Sequence, residues 1–316
     1  MDGRLWAYVP GAIITPHNKP LLRGEWLGRH WAQLSWPNVA RLAHAKGFGD
    51  VELLYLDSIA QAFWLQDVKW QRSVYRLADK SSAFQKSTPA LEQLERKIAQ
   101  SVSLVVYTAY GLRSYVESLR PRSMLHLPNG VNFPHFLEGD HSVPSDLAQV
   151  PRPIAIYVGA MDAWFDYDLI NFATRNLPRV SFVLIGPEDL SRRRLQQRSN
   201  LYLLGRRSYD SLPSYLHNAD VGLIPFDVAG HADLVNHIHP LKLYEYMACG
   251  LPVVAVEWEE LRHLASPAVL TNDASSFVDA IQAAVSRPPD REAHVQFASS
   301  ADWTCRAATL LDTLWG

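Results

Sequence analysis

Lys242 and Glu245 stand three residues apart in the stretch His239–Ala255, HPLKLYEYMACGLPVVA. On a helix that spacing puts an ammonium and a carboxylate on one face. Pro240 suits the first helical turn and Gly250 the helix C-terminus. The free amides at a helix start favour an anion, and Lys242 adds a full positive charge within the first turn. A carboxylate at Glu245 can accept two hydrogen bonds from a ribose diol. Phosphate donors and a ribose acceptor on one helix face describe a site for a nucleoside diphosphate. The plainer alternative is a capped helix packed on a sheet, with both side chains solvated.

Other groups could do chemistry. His231, Asp233, His237 and His239 cluster in the loop before this helix. Imidazole and carboxylate are zinc ligands, so a metal is one reading of the cluster and a phosphate or sugar contact is another. Arg206-Arg207 follows the strand-end glycine Gly205 and has a claim to a phosphate or a sugar carboxylate, whereas Arg192-Arg193-Arg194 reads as a solvated helix face. His30 and Asp67 are acid–base candidates in the N-terminal half, with no motif behind them.

The elements that must position these residues alternate between short apolar strands and amphipathic helices. Strands are predicted at Val51–Leu56, Leu104–Tyr107 and Met124–Leu127, with a helix starting at Thr88-Pro89. Residues 139–153, GDHSVPSDLAQVPRP, are rich in turn formers and read as a linker. A second series follows, with strands at Ile154–Val158, Ser181–Ile185, Leu201–Leu204, Val221–Pro225 and Pro252–Val256. Its helices are predicted at Leu169–Asn176, Asp210–Asn218, Pro240–Cys249 and Ser275–Val285. A last helical stretch runs from Arg291 to Trp315. Strands alternating with helices imply parallel sheets covered on both faces. The expected organisation is therefore an α/β chain of two Rossmann-like domains. Residues 1–145 form the first and residues 146–290 the second, with a C-terminal helix at 291–316 packing back towards the first. Ligands of such sheets bind outside the carboxyl ends of strands, where Gly159, Gly186 and Gly205 fall.

Composition narrows the function classes. The 316 residues carry 30 Lys and Arg against 32 Asp and Glu, so bulk charge calls for no nucleic acid. Two cysteines, Cys249 and Cys305, make neither a disulfide framework nor a metal cluster. No apolar run approaches the roughly 20 residues of a membrane span, and the N-terminus lacks a signal-peptide pattern. A cytoplasmic location is expected. Trp26, Trp31, Trp36, Trp64 and Trp70 crowd the first 70 residues. Leu27, Trp31 and Leu34 share a helical face near Arg23 and Arg29, which fits core packing or docking on a membrane that holds a lipid-linked acceptor.

The wording of His239–Ala255 closely resembles the donor-binding helix and following strand of GT-B glycosyltransferases. Asn129–Val131 (NGV), Tyr157–Ile170 (YVGAMDAWFDYDLI) and Asn200–Phe226 resemble further GT-B segments in the right order. The resemblance covers roughly residues 50–316. It implies a nucleotide-sugar donor, UDP-sugar favoured, with contacts from Gly159, Arg206, Phe226, His239, Leu241, Lys242 and Glu245, and from His231 and His237. It implies no metal and no other cofactor, and a carbohydrate or lipid-linked acceptor in surface polysaccharide or glycolipid assembly. Many retaining members carry a Glu eight positions before the ribose-binding Glu, where this chain has His237. Tyr75-Arg76-Leu77-Ala78-Asp79 resembles instead the base-bearing segment of the xanthan-type inverting β-glucuronosyltransferase, which implies Asp79 as catalytic base. Compared with a full GT-B chain, the N-terminal domain is shortened by about two strand–helix units. A retaining transferase, a nucleotide-sugar epimerase and a non-catalytic nucleotide-sugar binder stay open as alternatives.

Overall fold

A computed structural model describes residues 7, 11–12, 30–79, 89–287 and 290–316. Arg23, Trp26, Leu27, Arg29, Lys80, Ser81, Ser82 and Thr88 lie outside the described residues. The chain divides into two compact units, residues 1–127 and 128–316.

In the first unit, strands β1 (Gly11–Ala12) and β2 (Ser35–Trp36) form a small antiparallel pair. The main sheet is parallel and contains β3 (Asp50–Leu56), β4 (Lys69–Leu77), β5 (Leu104–Tyr107) and β6 (Met124–His126), side by side in chain order. Among the described residues this order has no reversal, and so no crevice of the kind that opens where strand order reverses. Leu56, Leu77, Val105, Ile98 and Leu112 fill its core. Helix Pro89–Ser101 contributes Leu94 and Ile98, as its 3.6-residue pattern requires. The same helix buries Glu95, whose carboxylate accepts hydrogen bonds from Tyr75 Oη at 2.7 Å and Tyr115 Oη at 2.5 Å. Tyr75 thus anchors the strand that leads to Asp79.

The second unit holds a six-stranded parallel sheet. It comprises β7 (Ile154–Val158), β8 (Ser181–Ile185), β9 (Leu201–Gly205), β10 (Val221–Ile224), β11 (Val253–Val256) and β12 (Val269–Thr271). Their order is β12-β11-β10-β7-β8-β9. Strands β7, β8 and β10 are buried along their whole length, because helices cover both faces of a parallel sheet. Strand order reverses between β7 and β10, so the crevice of this sheet opens beyond Val158 and Ile224. Side-chain caps start the flanking helices. Asp166 Oδ1 accepts from Leu169 N at 2.8 Å, and Asp273 and Ser276 form a capping box.

Residues 139–153 are not the boundary. Asn218 donates to the carbonyls of His141 and Ser142, each at 3.1 Å, and Asp146 pairs with Arg207 and Tyr215. Turn-forming residues mark a loop, but these polar groups are spent on the second unit. The boundary falls at Leu127-Pro128, ahead of the NGV segment. Val131 bridges Asp302, and a side chain on Gly130 would strike Trp303 at 2.8 Å and the Ala301 carbonyl at 2.9 Å. The C-terminal stretch is two helices, Arg291–Ser299 and Trp303–Trp315, and the first packs on helix Leu241–Ala248 of the second unit. Among the described residues no helix is long and apolar enough to cross a membrane.

Candidate functional site

Gly159 follows β7 and Phe226 lies two residues beyond β10, one on each side of the switch point. The segments beyond these strands are joined: Asp166 N donates to Pro225 O and Asp227 N to Trp164 O, both at 2.8 Å, and Phe165 bridges Phe226. Helix Leu241–Ala248 brings Lys242 over this junction. The Lys242 ammonium lies 5.3 Å from the Tyr157 ring centroid and 5.0 Å from that of Phe226, both within cation–π range. A methyl group on Gly159 would stand 3.3 Å from Lys242 Cε and 3.4 Å from Nζ, so the lysine lies directly on the glycine backbone.

The loop under the lysine is rigidly held. Tyr157 Oη donates to Ala160 O at 2.7 Å, and Tyr167 Oη donates to Met161 O. Gly159 N donates to Ile185 O at 2.9 Å. Gly159 has φ +147° and Gly186 φ +157°, and a Cβ on Gly186 would fall 2.0 Å from Gly159 O. Only glycine fits there. With its carbonyls engaged, the loop keeps the amides of Ala160, Met161 and Asp162 without a protein acceptor among the described residues. Free loop amides beneath an enclosed ammonium are suited to an anion.

Enclosure by the two rings strips water from the Lys242 ammonium and pushes its pKa down to about 8, against the pull of Glu245. Glu245, one turn further on, has its carboxyl raised by burial, with Lys242 and His135 acting in the opposite sense. His135 and Tyr209 form a stacked pair with ring centroids 4.7 Å apart, and Glu245 helps to raise the Tyr209 phenol, after burial, to about 12. Glu245 therefore sits beside an aromatic pair, one face of which is open: Tyr209 is 47% exposed. The spacing of Lys242 and Glu245 was legible in sequence; Tyr157, Tyr209 and His135 were not. The only signal for Tyr157 was its place two residues before the strand-end glycine.

Other expected site residues fall as follows. Leu241 is exposed at the helix start, and Phe226 is buried beneath Lys242. Pro240 is the N-cap rather than a residue of the first turn. Arg206 is exposed after Gly205, while its neighbour Arg207 is tied to Asp146 and Tyr215. His231 Nδ1 lies 3.1 Å from Asp227 Oδ2, and His237 Nδ1 donates to Asp233 O at 2.5 Å. His239, expected to contact the donor, does not line the site. Its side chain is wholly buried between Glu260 and Tyr244, so it has no surface to offer a ligand. The histidine-rich loop scatters its side chains among these partners, and no group of three or more His, Cys, Asp or Glu among the described residues converges as a metal site.

In the first unit, Asp79 is exposed just past β4. Thr108 Oγ1 donates to Ala78 O at 3.0 Å, which holds this strand end against β5. Nearby protein raises the Asp79 carboxyl, and Arg76 lowers it. Of its rivals, Asp67 has its carboxyl raised by burial, with His44 and His30 opposing, and its carbonyl accepts from His44 Nε2 at 2.6 Å.

Residues 152–287 match the family described as Glycosyl transferases group 1. Over 260 residues the chain is 22% identical to a protein of Bacillus subtilis (strain 168) named as the teichuronic acid biosynthesis glycosyltransferase TuaH. The match covers 75% of this chain and 65% of that protein, so the chain spans just under two thirds of this relative's length. Sucrose-phosphate synthase of Thermosynechococcus elongatus superposes with a TM-score of 0.68 at 18% identity, over 88% of this chain and 76% of its own. Anabaena HepE, solved with UDP and glucose, superposes with a TM-score of 0.64 at 18% identity, over 89% and 82% of the two chains. At these identities the structural likeness establishes the fold, which is that of the GT-B glycosyltransferases.

Proposed function

We propose that this chain, whose residues 152–287 match the glycosyl transferases group 1 family, transfers a sugar from a nucleoside-diphosphate sugar to a carbohydrate or lipid-linked acceptor. The observation that carries this reading is the Lys242 ammonium, held on the Gly159 backbone between two rings at the switch point, with the Glu245 carboxylate one turn away. A diphosphate there meets Lys242 and the amides of residues 160–162, and Glu245 accepts from the ribose diol. UDP is the favoured carrier, supported by the UDP found in the HepE structure. No metal is called for, because Lys242 and backbone amides supply the positive field that stabilises a leaving diphosphate.

We assign Asp79 as the base. It removes the proton from the acceptor hydroxyl as that oxygen attacks the anomeric carbon, while the diphosphate departs from the opposite face, so configuration inverts. Its place past the carboxyl end of a parallel strand, and a carboxyl raised by its surroundings, suit the role. We further propose a surface polysaccharide as product, assembled peripherally at the inner membrane face; the relative named for teichuronic acid biosynthesis supports a polymer-building role.

The test is to screen UDP-sugars by thermal shift, then follow transfer from the best donor to acceptors in a membrane extract by NMR of the anomeric proton. Stabilisation by UDP and a product of opposite anomeric configuration are expected. A retained configuration removes the single-displacement role of Asp79, and isomerisation of donor without acceptor identifies an epimerase. UDP binding without any turnover identifies a binder.

A further inference from the structure

His239, whose imidazole touches no solvent, sits immediately before the cap of the donor helix. Its Nδ1 lies 2.7 Å from Glu260 Oε1 and its Nε2 3.0 Å from Tyr244 Oη. These partners orient the ring: Nδ1–H donates to the carboxylate, and Nε2 accepts the tyrosine hydroxyl. Tyr244 is one helical turn further along the same helix, stacked against His239 on one side and parallel to Phe297 on the other, with Arg306 beside its phenol.

The backbone at this point is held as firmly as the side chain. Asn129 Nδ2 donates to His239 O at 3.2 Å, and Trp258 Nε1 donates to Ile238 O at 3.3 Å. The Trp258 ring also packs against Phe226, with centroids 5.4 Å apart, and Phe226 is one of the two rings that enclose Lys242. Trp258 and Glu260 both come from the segment that follows β11. Two residues of one segment therefore grip two successive residues ahead of the donor helix, and one of them continues into the wall of the lysine site.

From this arrangement we infer that His239 is a positioning residue for the diphosphate. Clamped by Glu260, Tyr244 and Asn129, it sets where the N-terminus of helix Leu241–Ala248 and the Lys242 ammonium stand over the Gly159 loop. The inference rests on the reading of this site as a nucleoside-diphosphate site. Helix position matters most at the helix start, where the phosphates bind. It matters less at Glu245, beside which the Tyr246 hydroxyl ties the helix to β7 independently, accepting from Val158 N at 2.7 Å. Loss of the clamp should therefore weaken diphosphate binding and spare the nucleoside. Residues that orient a binding group in this indirect way cost about 10- to 100-fold when removed from metal sites, the best-measured case.

Titration calorimetry with UDP and with uridine tests this on the full chain. In His239→Ala, UDP affinity should fall about tenfold or more while uridine changes less than twofold. His239→Asn keeps a donor towards Glu260 and should recover affinity to within about threefold of the parent. Trp258→Phe removes a single N–H and keeps a ring against Phe226. It should weaken UDP alone by about threefold, and it decides the matter if His239→Ala does not fold. Equal losses for UDP and uridine, or unchanged UDP affinity in the folded variants, would overturn the positioning role. A parent protein that binds no UDP refutes the proposed function itself, a result separable from either.

Discussion

Raising the pH should release the diphosphate before it releases the nucleoside. Lys242 has its pKa pushed down to about 8 because Tyr157, Phe226 and Gly159 enclose its ammonium. If only the protonated lysine holds the phosphates, the apparent dissociation constant scales as one plus ten to the power of pH minus pKa. Between pH 7.5 and pH 9.0 that is about an eightfold loss. Uridine ionises in the same range, so the quantity to measure is the ratio of UDP to uridine affinity, by calorimetry at fixed ionic strength. The ratio should fall about eightfold in the parent and stay level in Lys242→Met, whose UDP affinity starts low. A level ratio in the parent would refute the enclosure argument and the phosphate assignment that depends on it.

The same lysine has a signature in stability. Its folded pKa lies below the unfolded value, so between about pH 8 and 10.5 the unfolded chain binds more protons and stability rises with pH. Below pH 8 the charged form is present in both states, and the folded state bears the cost of its enclosure. A fully realised shift would be worth about 3 kcal/mol. Lys242 is partly exposed, so about 1–2 kcal/mol is the working figure after screening. Lys242→Met should therefore melt a few degrees higher than the parent at pH 7, roughly 2–4 °C per kcal/mol for a unit of this size. Stabilisation gained with affinity lost is what a site strained for function shows.

Asp79→Asn keeps the side chain's shape and removes its basicity, so turnover should drop by about 10²- to 10⁴-fold with UDP affinity unchanged, as initial rates and calorimetry would report. Normal turnover places the base elsewhere. Glu245→Ala should weaken UDP and uridine alike, because the ribose is common to both; a loss confined to UDP would count against the ribose assignment. Treatment with EDTA should leave UDP binding intact, and stoichiometric zinc that leaves together with UDP affinity would overturn the metal-free reading. Gly186→Ala forces a methyl group against the Gly159 carbonyl, where backbone must move, and should cost about 2–3 kcal/mol in thermal or denaturant unfolding. A variant as stable as the parent would contradict the tight glycine–glycine contact.

The alternation of apolar strands with amphipathic helices was readable in the second unit because its central strands β7, β8 and β10 are buried along their whole length. Ile154–Val158 and Ser181–Ile185 have the bounds their apolar runs imply. Strand Lys69–Leu77 escaped the same reading. Its first half pairs only with Asp50–Leu56, since Leu104–Tyr107 joins it from Val74 onward, and the half-exposed edge carries Lys69, Gln71 and Arg72. Charges there hide the strand from any apolar pattern.

Helical periodicity by itself determined that Lys242 and Glu245 share a face, because three residues on a helix leave no other choice. The rest was decided by the tertiary fold. The strand order β12-β11-β10-β7-β8-β9 places Gly159 and Phe226 on either side of one crevice, although 66 residues of chain lie between them. His239 looked like a ligand contact from its neighbours in sequence, but a residue's solvent exposure depends on what packs against it, and here that is Glu260 and Tyr244. The turn-rich segment 139–153 looked like a boundary for a similar reason. Composition reports that a segment can turn, whereas only the hydrogen bonds to Asn218, Arg207 and Tyr215 report which body it belongs to.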